Sequence, residues 1–257
     1  MLADLTAGAV ADAAHREDSV PLSLVETAAV SAPAAIDAYA ALAPNGSIKV
    51  IAEVKRASPS RGELARIANP AALATLYQTG GASAISVLTE ERKFLGSLDD
   101  LRAVRAAVTV PVLRKDFIAT PYQVWEARAA GADMVLLIVA ALQPETLSSL
   151  FRLATELGMG VLVETHSADE VQRAVDLGSQ LIGVNARDLT TFELDRDLFA
   201  SVVHRIPAGT IRIAESAVRD ASDVAHYRAA GADVVLVGEA LVTGDPLVTL
   251  SNFLAVS

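Results

Sequence analysis

Eight short apolar segments rich in β-branched residues recur along the chain, with helix-like stretches between them. They begin near residues 48, 82, 110, 133, 159, 181, 211 and 233. Such continuous hydrophobicity is typical of strands covered by helices, and the alternation of strands and helices predicts right-handed βαβ units in a parallel sheet. Eight units fit a closed (β/α)8 barrel better than an open doubly wound sheet. We therefore predict an α/β fold, a TIM barrel.

The segments between the strands carry recognisable helix starts. Asn69-Pro70 and Thr120-Pro121 each look like an N-cap residue followed by proline at the first helical position. Ser167 with Glu170 has the spacing of a capping box. These signals place helices directly before the strands near residues 82, 133 and 181.

The chain is predicted to be a single domain, residues 1–257, with a helical extension at 1–47 and the barrel at 48–257. The alanine-rich extension reads as helix, break, helix, and the barrel does not require it. It is either a cover over one end of the barrel or a lid that contributes to substrate binding. A hydrophobic fraction of 52% provides enough apolar residues for one large core.

Composition excludes several classes of function. The formal net charge of -10 argues against a nucleic-acid partner, because such proteins present basic surfaces. The absence of cysteine rules out disulfides, thiolate nucleophiles and cysteine-ligated zinc, and it fits a reducing cytoplasm. The longest strongly apolar run, residues 134–142, is too short to span a membrane, and the first residues do not form an export signal. We expect a cytoplasmic monomer.

The first predicted strand contains two opposite charges. Ile51, Glu53 and Lys55 share one side of the strand, whereas the apolar residues Val50, Ala52 and Val54 share the other. The apolar side belongs against the helices, so Glu53 and Lys55 should point into the mouth of the barrel. In this fold the reacting groups gather at the carboxyl ends of the strands.

The same alternation places further polar groups at the mouth. Strand seven ends in two adjacent residues, Glu215 and Ser216, which a regular strand would send to opposite sides, so it must end or bulge there if both serve the site. Strand eight ends at Gly238. The other inward sets are Leu113, Lys115 and Phe117 on strand three, Leu162 and Glu164 on strand five, and Gly183 and Asn185 on strand six.

Converging lysines and glutamates suit acid–base chemistry, in which a lysine donates a proton and a carboxylate accepts one. The alternative is a structural ring of ion pairs, although buried pairs usually lose as much in desolvation as they gain in attraction. We expect no metal, because the histidines (His15, His166, His204 and His226) fall on helix or turn segments and read as surface residues. The chain has no nucleotide-binding glycine motif, so we expect no nucleotide cofactor.

Two further segments, "AESAV" and "VGEAL", follow strands seven and eight. Loops at these positions commonly bind phosphate through backbone N–H groups in this fold. Each segment is also compatible with an ordinary turn between a strand and a helix.

Seven segments in order, "IAEVKRASPSRG", "SVLTEERKFLGSLDDL", "PVLRKDF", "LVET", "IGVNARDL", "RIAES" and "VLVGEALV", resemble the signature segments of the indole-3-glycerol phosphate synthase family. They extend from about residue 48 to 245, and the N-terminal extension also resembles that of the family. The resemblance implies a cofactor-free lyase of tryptophan biosynthesis. Its substrate, a carboxyphenylamino-deoxyribulose phosphate, loses carbon dioxide and water to give indole-3-glycerol phosphate.

The resemblance also implies roles for the residues at the strand ends. Lys115 would be the general acid that protonates the ketone oxygen of the substrate. Lys55 would hold the anthranilate carboxylate and is a second candidate proton donor. Glu164 would be either the general base or the electrostatic partner of the cationic intermediate. Glu53 would orient the lysines, and the other implied site residues are Asn185, Glu215 and Ser216.

The resemblance assigns further residues to substrate binding. Those expected around the aromatic ring are Phe94, Phe117, Leu189 and Leu236, and those expected at the phosphate end are Ser58, Arg187, Ala217, Gly238 and Glu239. The family usually has glycine where this chain has Ala217, and glycine would allow closer backbone approach or a positive φ. Weaker phosphate binding is the expected consequence.

Two other functions remain compatible with the residues. One is a different phosphate-binding barrel enzyme, such as a sugar-phosphate isomerase or an aldolase that forms a Schiff base on Lys55 or Lys115. The other is a barrel without catalytic activity that serves as a binding subunit. The complete set of lysines and glutamates argues against the latter.

Overall fold

The computed structural model describes residues 1–59, 61–188 and 193–256. Its main sheet is a closed parallel barrel in which each strand pairs with the next and the last strand pairs with the first. This confirms the predicted TIM barrel. The barrel strands are β1 (Lys49–Val54), β2 (Ala84–Leu88), β3 (Val112–Lys115), β4 (Met134–Ile138), β5 (Gly160–Thr165), β6 (Leu181–Asn185), β7 (Ile211–Glu215) and β8 (Val234–Val237).

Helices precede the barrel and alternate with its strands. They are α1 (Leu2–Ser19), α2 (Leu22–Ser31), α3 (Ala38–Leu42), α4 (Pro70–Thr79), α5 (Leu98–Ala107), α6 (Pro121–Ala129), α7 (Pro144–Glu156), α8 (Ala168–Asp176), α9 (Leu198–Val202), α10 (Ala221–Ala229), α11 (Glu239–Thr243) and α12 (Pro246–Leu254). A short antiparallel hairpin, in which Ala57–Ser58 pairs with Gly62–Glu63, interrupts the connection from β1 to α4.

The predicted helix starts at residues 69 and 120 are present. The side chain of Asn69 caps α4, and Pro70 is its first residue. Thr120 caps α6, where Gln123 completes a reciprocal capping box with the backbone of Thr120. Both caps satisfy backbone N–H groups that have no partner within the first turn of a helix.

The start of α8 differs from the predicted capping box in one respect. The hydroxyl of Ser167 accepts a hydrogen bond from the backbone N–H of Glu170 at 3.2 Å, as expected. The carboxylate of Glu170, however, accepts from the backbone N–H of His166 at 2.8 Å, one residue before the cap. The reciprocal half of the box is therefore wrong, because Glu170 is bound to His166.

Apolar side chains form one layer inside the barrel and another between the strands and the helices. On β1 the outward residues Val50, Ala52 and Val54 pack in the outer layer, as predicted from the alternation. Ile51 packs in the inner layer, with residues that include Leu113, Leu162, Ile213 and Leu236. The inner layer fills the barrel below its mouth, so the polar ends of the strands form the floor of an open site.

A buried arginine fixes the outer side of β3. Arg114 is fully buried, and its guanidinium binds Asp116 at 2.9 Å and Glu126 of α6 at 3.0 Å. Glu126 also binds Arg16 of α1 at 2.6 Å. This network attaches the N-terminal helix to the strand that carries Lys115.

The N-terminal segment contacts both ends of the barrel. Ala38 and Leu42 of α3 pack against the inner layer, and Lys49 at the start of β1 donates a hydrogen bond to the carbonyl of Ala41. In α1, Asp12 binds Arg92 in the loop after β2, with oxygen-to-nitrogen distances of 2.8 and 2.5 Å. The segment thus covers the amino-terminal end and also braces a loop at the mouth.

Over the described part of the chain, no helix is both long and apolar enough to cross a membrane.

Candidate active site

A cavity of about 380 Å³ opens at the carboxyl ends of the barrel strands. Every described residue that the sequence predicted for the site lines this cavity, whereas Leu189 lies outside the described residues. The lining residues of that set are Glu53, Lys55, Ser58, Phe94, Lys115, Phe117, Glu164, Asn185, Arg187, Glu215, Ser216, Ala217, Leu236, Gly238 and Glu239. Among the described residues no group of three or more His, Cys, Asp or Glu side chains is arranged to hold a metal ion.

Lys115 stands at the centre of a cluster of carboxylates. Its Nζ lies 3.4 Å from Glu164, 3.6 Å from Glu215 and 3.9 Å from Glu53. Burial alone lowers the pKa of Lys115, but the attraction of Glu164, then of Glu215 and Glu53, outweighs burial and raises the pKa. The ammonium group therefore stays charged at neutral pH.

Glu53 connects the two lysines of the site. One of its oxygens binds Lys55 Nζ at 2.8 Å, and the other faces Lys115 and the hydroxyl of Ser86. Burial raises the pKa of Glu53, but the two lysines outweigh burial and lower it. Gly238 leaves room for this pair, because a Cβ there would stand 2.5 Å from Glu53 Oε1.

The pKa values of Glu164 and Glu215 are shifted in opposite directions. Burial raises the pKa of Glu164, but Lys115 and the neighbouring donors outweigh burial and lower it. For Glu215, burial and the charge of Glu164 outweigh Lys115 and raise the pKa. Asn185 donates to Glu164 Oε1 at 3.1 Å. On β6, Gly183 makes space for Glu215, whose Oε1 would lie 2.1 Å from a Cβ at that position.

The prediction that all histidines are surface residues is wrong for His166. It follows β5 directly, its side chain is 10% exposed, and its Nε2 lies 3.3 Å from Glu164 Oε1. Burial lowers the pKa of His166, but Glu164 and Glu170 outweigh burial and raise the pKa to about 10. Its place just beyond the strand end "LVET" was the signal available in the sequence.

An apolar wall stands beside the charged cluster. The rings of Phe94 and Phe117 lie 6.1 Å apart at an interplanar angle of 43°. Leu236 also lines the cavity, and sequence reasoning missed other apolar lining residues, among them Leu88, Leu136 and Ile138. Leu136 and Ile138 continue the inward alternation of β4 from Met134, so taking every second residue of that strand would have identified them.

The backbone turns sharply after β7. The strand ends at Glu215, and both Ser216 (φ 68°) and Ala217 (φ 57°) adopt left-handed conformations. This turn explains how the adjacent residues Glu215 and Ser216 both reach the cavity. It also places an alanine where the backbone conformation favours glycine.

Arginines form the rim of the cavity on the side expected for phosphate. Arg61 binds Glu239 at 2.9 Å, and burial lowers the pKa of Arg187. The sequence prediction included Arg187 but missed Arg61, Arg196 and Arg219. Arg61 lies within the segment "SPSRG", where its neighbour Ser58 had already been chosen.

Sequence comparisons with known proteins point to one family. The family model described as indole-3-glycerol phosphate synthase matches residues 2–249. Proteins named indole-3-glycerol phosphate synthase from Leifsonia xyli and Mycobacterium tuberculosis are 67% and 56% identical. The alignments cover 98% of this chain in both cases, and 97% and 93% of the relatives.

Solved structures of low identity support the fold alone. A thiamine phosphate pyrophosphorylase from Pyrococcus furiosus aligns with a TM-score of 0.59 at 14% identity over 80% of this chain and 93% of its own. An N-acetylmannosamine-6-phosphate 2-epimerase from Clostridium perfringens aligns with a TM-score of 0.61 at 15% identity, over 79% of this chain and 91% of its own. Taken with the family model and the close relatives, the barrel and its site lead to one conclusion: the chain belongs to the indole-3-glycerol phosphate synthase family of lyases.

Proposed function

We propose that this protein closes the pyrrole ring of 1-(2-carboxyphenylamino)-1-deoxyribulose 5-phosphate, releasing carbon dioxide and water and forming indole-3-glycerol phosphate. The observation that carries the proposal is the ammonium group of Lys115, held among three carboxylates at the mouth of the barrel with Lys55 beside it. Ring closure needs a proton donor at the ketone oxygen, and this cluster provides one.

Lys115 is the donor in this mechanism. As the ring carbon attacks the ketone carbon, negative charge develops on the ketone oxygen, and Lys115 gives that oxygen a proton. Its raised pKa keeps the proton available but makes Lys115 a weak acid. The proton must therefore move as the carbon–carbon bond forms, and the fixed ammonium charge stabilises the developing oxyanion throughout.

The other charged groups have distinct tasks. Lys55, held by Glu53, binds the carboxylate that leaves as carbon dioxide and is a second candidate proton donor in the dehydration. Of the two roles open to Glu164, its lowered pKa favours the electrostatic one, because a carboxylate of low proton affinity is a weak base. An ionised Glu164 stabilises the iminium cation that exists after ring closure.

The two ends of the cavity match the two ends of the substrate. In this proposal the aromatic ring lies against the wall of Phe94, Phe117 and Leu236, and Asn185, which also lines the cavity, binds the hydroxyl groups of the sugar. At the phosphate end the backbone after Ser216 and the arginine rim supply N–H and guanidinium donors. We include in the proposal that the protein acts as a cytoplasmic monomer on this phosphorylated small molecule.

The direct test is an ultraviolet or fluorescence assay for the indole product from the proposed substrate. Lys115→Met is expected to lower kcat at least about 100-fold, because it removes the acid and leaves three carboxylates without their central cation. Lys93→Met is the matched control, since Lys93 is exposed and does not line the cavity. Absence of product with the natural protein, or full activity of Lys115→Met, would contradict the proposal.

The rival aldolase mechanism predicts a covalent imine between substrate and a lysine. Treating the protein with borohydride in the presence of the substrate separates the two mechanisms. We expect no stable adduct by intact-mass measurement. An adduct lost in Lys55→Met or Lys115→Met would instead support a Schiff-base enzyme.

A further inference from the structure

His166 lies behind Glu164, away from the cavity wall. Its Nε2 is 3.3 Å from Glu164 Oε1, and its Nδ1 is 3.3 Å from Glu170 Oε2. Glu164 lines the cavity and His166 does not. The imidazole therefore stands outside the cavity lining and faces the site through Glu164.

Glu170 fixes the imidazole from the other side. Its Oε2 accepts the backbone N–H of His166 at 2.8 Å as well as facing Nδ1. Its own backbone N–H is held by the hydroxyl of Ser167 at the start of α8. The ring thus lies between two carboxylates, which favours the doubly protonated imidazolium.

The two oxygens of Glu164 have separate partners. Oε1 accepts a hydrogen bond from Asn185 at 3.1 Å and faces His166, whereas Oε2 faces Lys115 at 3.4 Å. A buried carboxylate without fixed partners could rotate about its last side-chain bond, which has a broad torsional preference. With Oε1 held, Oε2 remains directed at Lys115.

We propose that His166 is a positioning residue: held by Glu170, its imidazolium fixes Glu164 Oε1 so that Oε2 faces Lys115. The inference rests on the proposed function, in which Lys115 and Glu164 act on the substrate. The charged groups that face the imidazole are Glu164 from β5 and Glu170 from α8, and Lys115 of β3 lies beyond Glu164.

The first test requires no activity. In histidine-labelled protein, NMR resolves the protonation state of each imidazole as pH is raised from 5.5 to 8.5, a range that brackets the ordinary histidine pKa of about 6.5. We expect His166 to stay doubly protonated across this range. In Glu170→Gln, His166 should begin to titrate within the same range. If His166 titrates within this range in the natural protein, the inference is overturned, whatever reaction the protein catalyses.

The second test is kinetic. His166→Gln keeps a donor of similar size but removes the charge that fixes Glu164 Oε1, so Oε2 should face Lys115 less well. We expect kcat to fall about 10-fold with KM changed less than about 2-fold, as for an interaction made mainly in the transition state. His204→Gln, on an exposed histidine, is the matched control and should leave kcat and KM unchanged.

Glu170→Gln provides the second variant if His166→Gln fails to fold, because it retains the imidazole. It should lower kcat by a smaller factor, again with little change in KM. An unchanged kcat in the variants that fold would overturn the positioning role. Failure of the natural protein to form the indole product would instead overturn the proposed function, and the NMR titration would still decide the state of His166.

Discussion

Gly183→Ala is the sharpest structural perturbation of the site. The added methyl carbon would lie 2.1 Å from Glu215 Oε1, so the carboxylate must retreat by about 1 Å to reach an allowed contact. A retreat directly away from Lys115, now 3.6 Å distant, moves Glu215 out of its position beside the proton donor. A misplacement of about 1 Å in an active site can cost up to about 100-fold in rate.

Stability should change little in the same variant. Overpacking of a core costs about 1 to 3 kcal/mol, but here only the end of a side chain must move, and replacing a strand glycine by alanine returns about 0.5 to 1 kcal/mol. We therefore expect kcat to fall by about 10-fold to 100-fold while the free energy of unfolding in urea changes by less than about 1 kcal/mol.

The matched control is the same substitution in a Glu215→Ser background, where no carboxylate stands over position 183. Gly183→Ala should then cause no further loss of residual activity. An equal loss in both backgrounds would show that the contact with Glu215 is not the cause, and so would a natural kcat for Gly183→Ala.

Three other predictions follow from local geometry. Ala217→Gly should lower KM for the phosphorylated substrate by up to about 5-fold, because without the Cβ the phosphate can approach the backbone more closely; steady-state kinetics measures this, and an unchanged KM would refute it. Removing Arg114 by Arg114→Met leaves Asp116 and Glu126 buried without this cation, and should cost about 3 to 5 kcal/mol in urea unfolding; a loss below about 1 kcal/mol would contradict the network. The pKa of His166 is raised from 6.5 in the unfolded chain to about 10, so its stabilisation is full below pH 6.5 and is lost as pH rises to about 10. The stability difference between the natural protein and His166→Gln should shrink over that window, and a pH-independent difference would argue against the raised pKa.

On β1, the alternation of side chains along the strand predicts which side each residue occupies. This alternation alone predicts that Glu53 and Lys55 point into the mouth and Val50 toward the helices, because the side chains of a strand alternate regardless of what surrounds it. Alternation gave the side of each residue but not its partners. That Glu53 binds Lys55 and also faces Lys115 depends on the curvature of the closed barrel.

The sequence predictions were wrong or incomplete where a residue's contacts join two different secondary-structure elements. His166 lies after the last inward residue of β5, so its periodicity was uninformative, and its burial comes from Glu170 on the next helix. The same glutamate had the spacing of a capping box, but its carboxylate turned to the imidazole instead. Arg61 was missed because its position over Glu239 depends on the hairpin after β1.

The sequence by itself determined the number and order of the strands, the inward face of each strand with a charged end, and the family, because these depend on local periodicity and on motifs of contiguous residues. The tertiary structure decided which charges meet and in which state they are held. Glu164 and Glu215 are both inward glutamates at strand ends, yet their pKa values are shifted in opposite directions. Glu164 has Lys115, Asn185 and His166 beside it, and these partners stabilise its charged form. Glu215 lies over Gly183, and the attraction of Lys115 does not outweigh its burial and the charge of Glu164. Burial and the distances between charges set those states, and both arise only when the barrel closes.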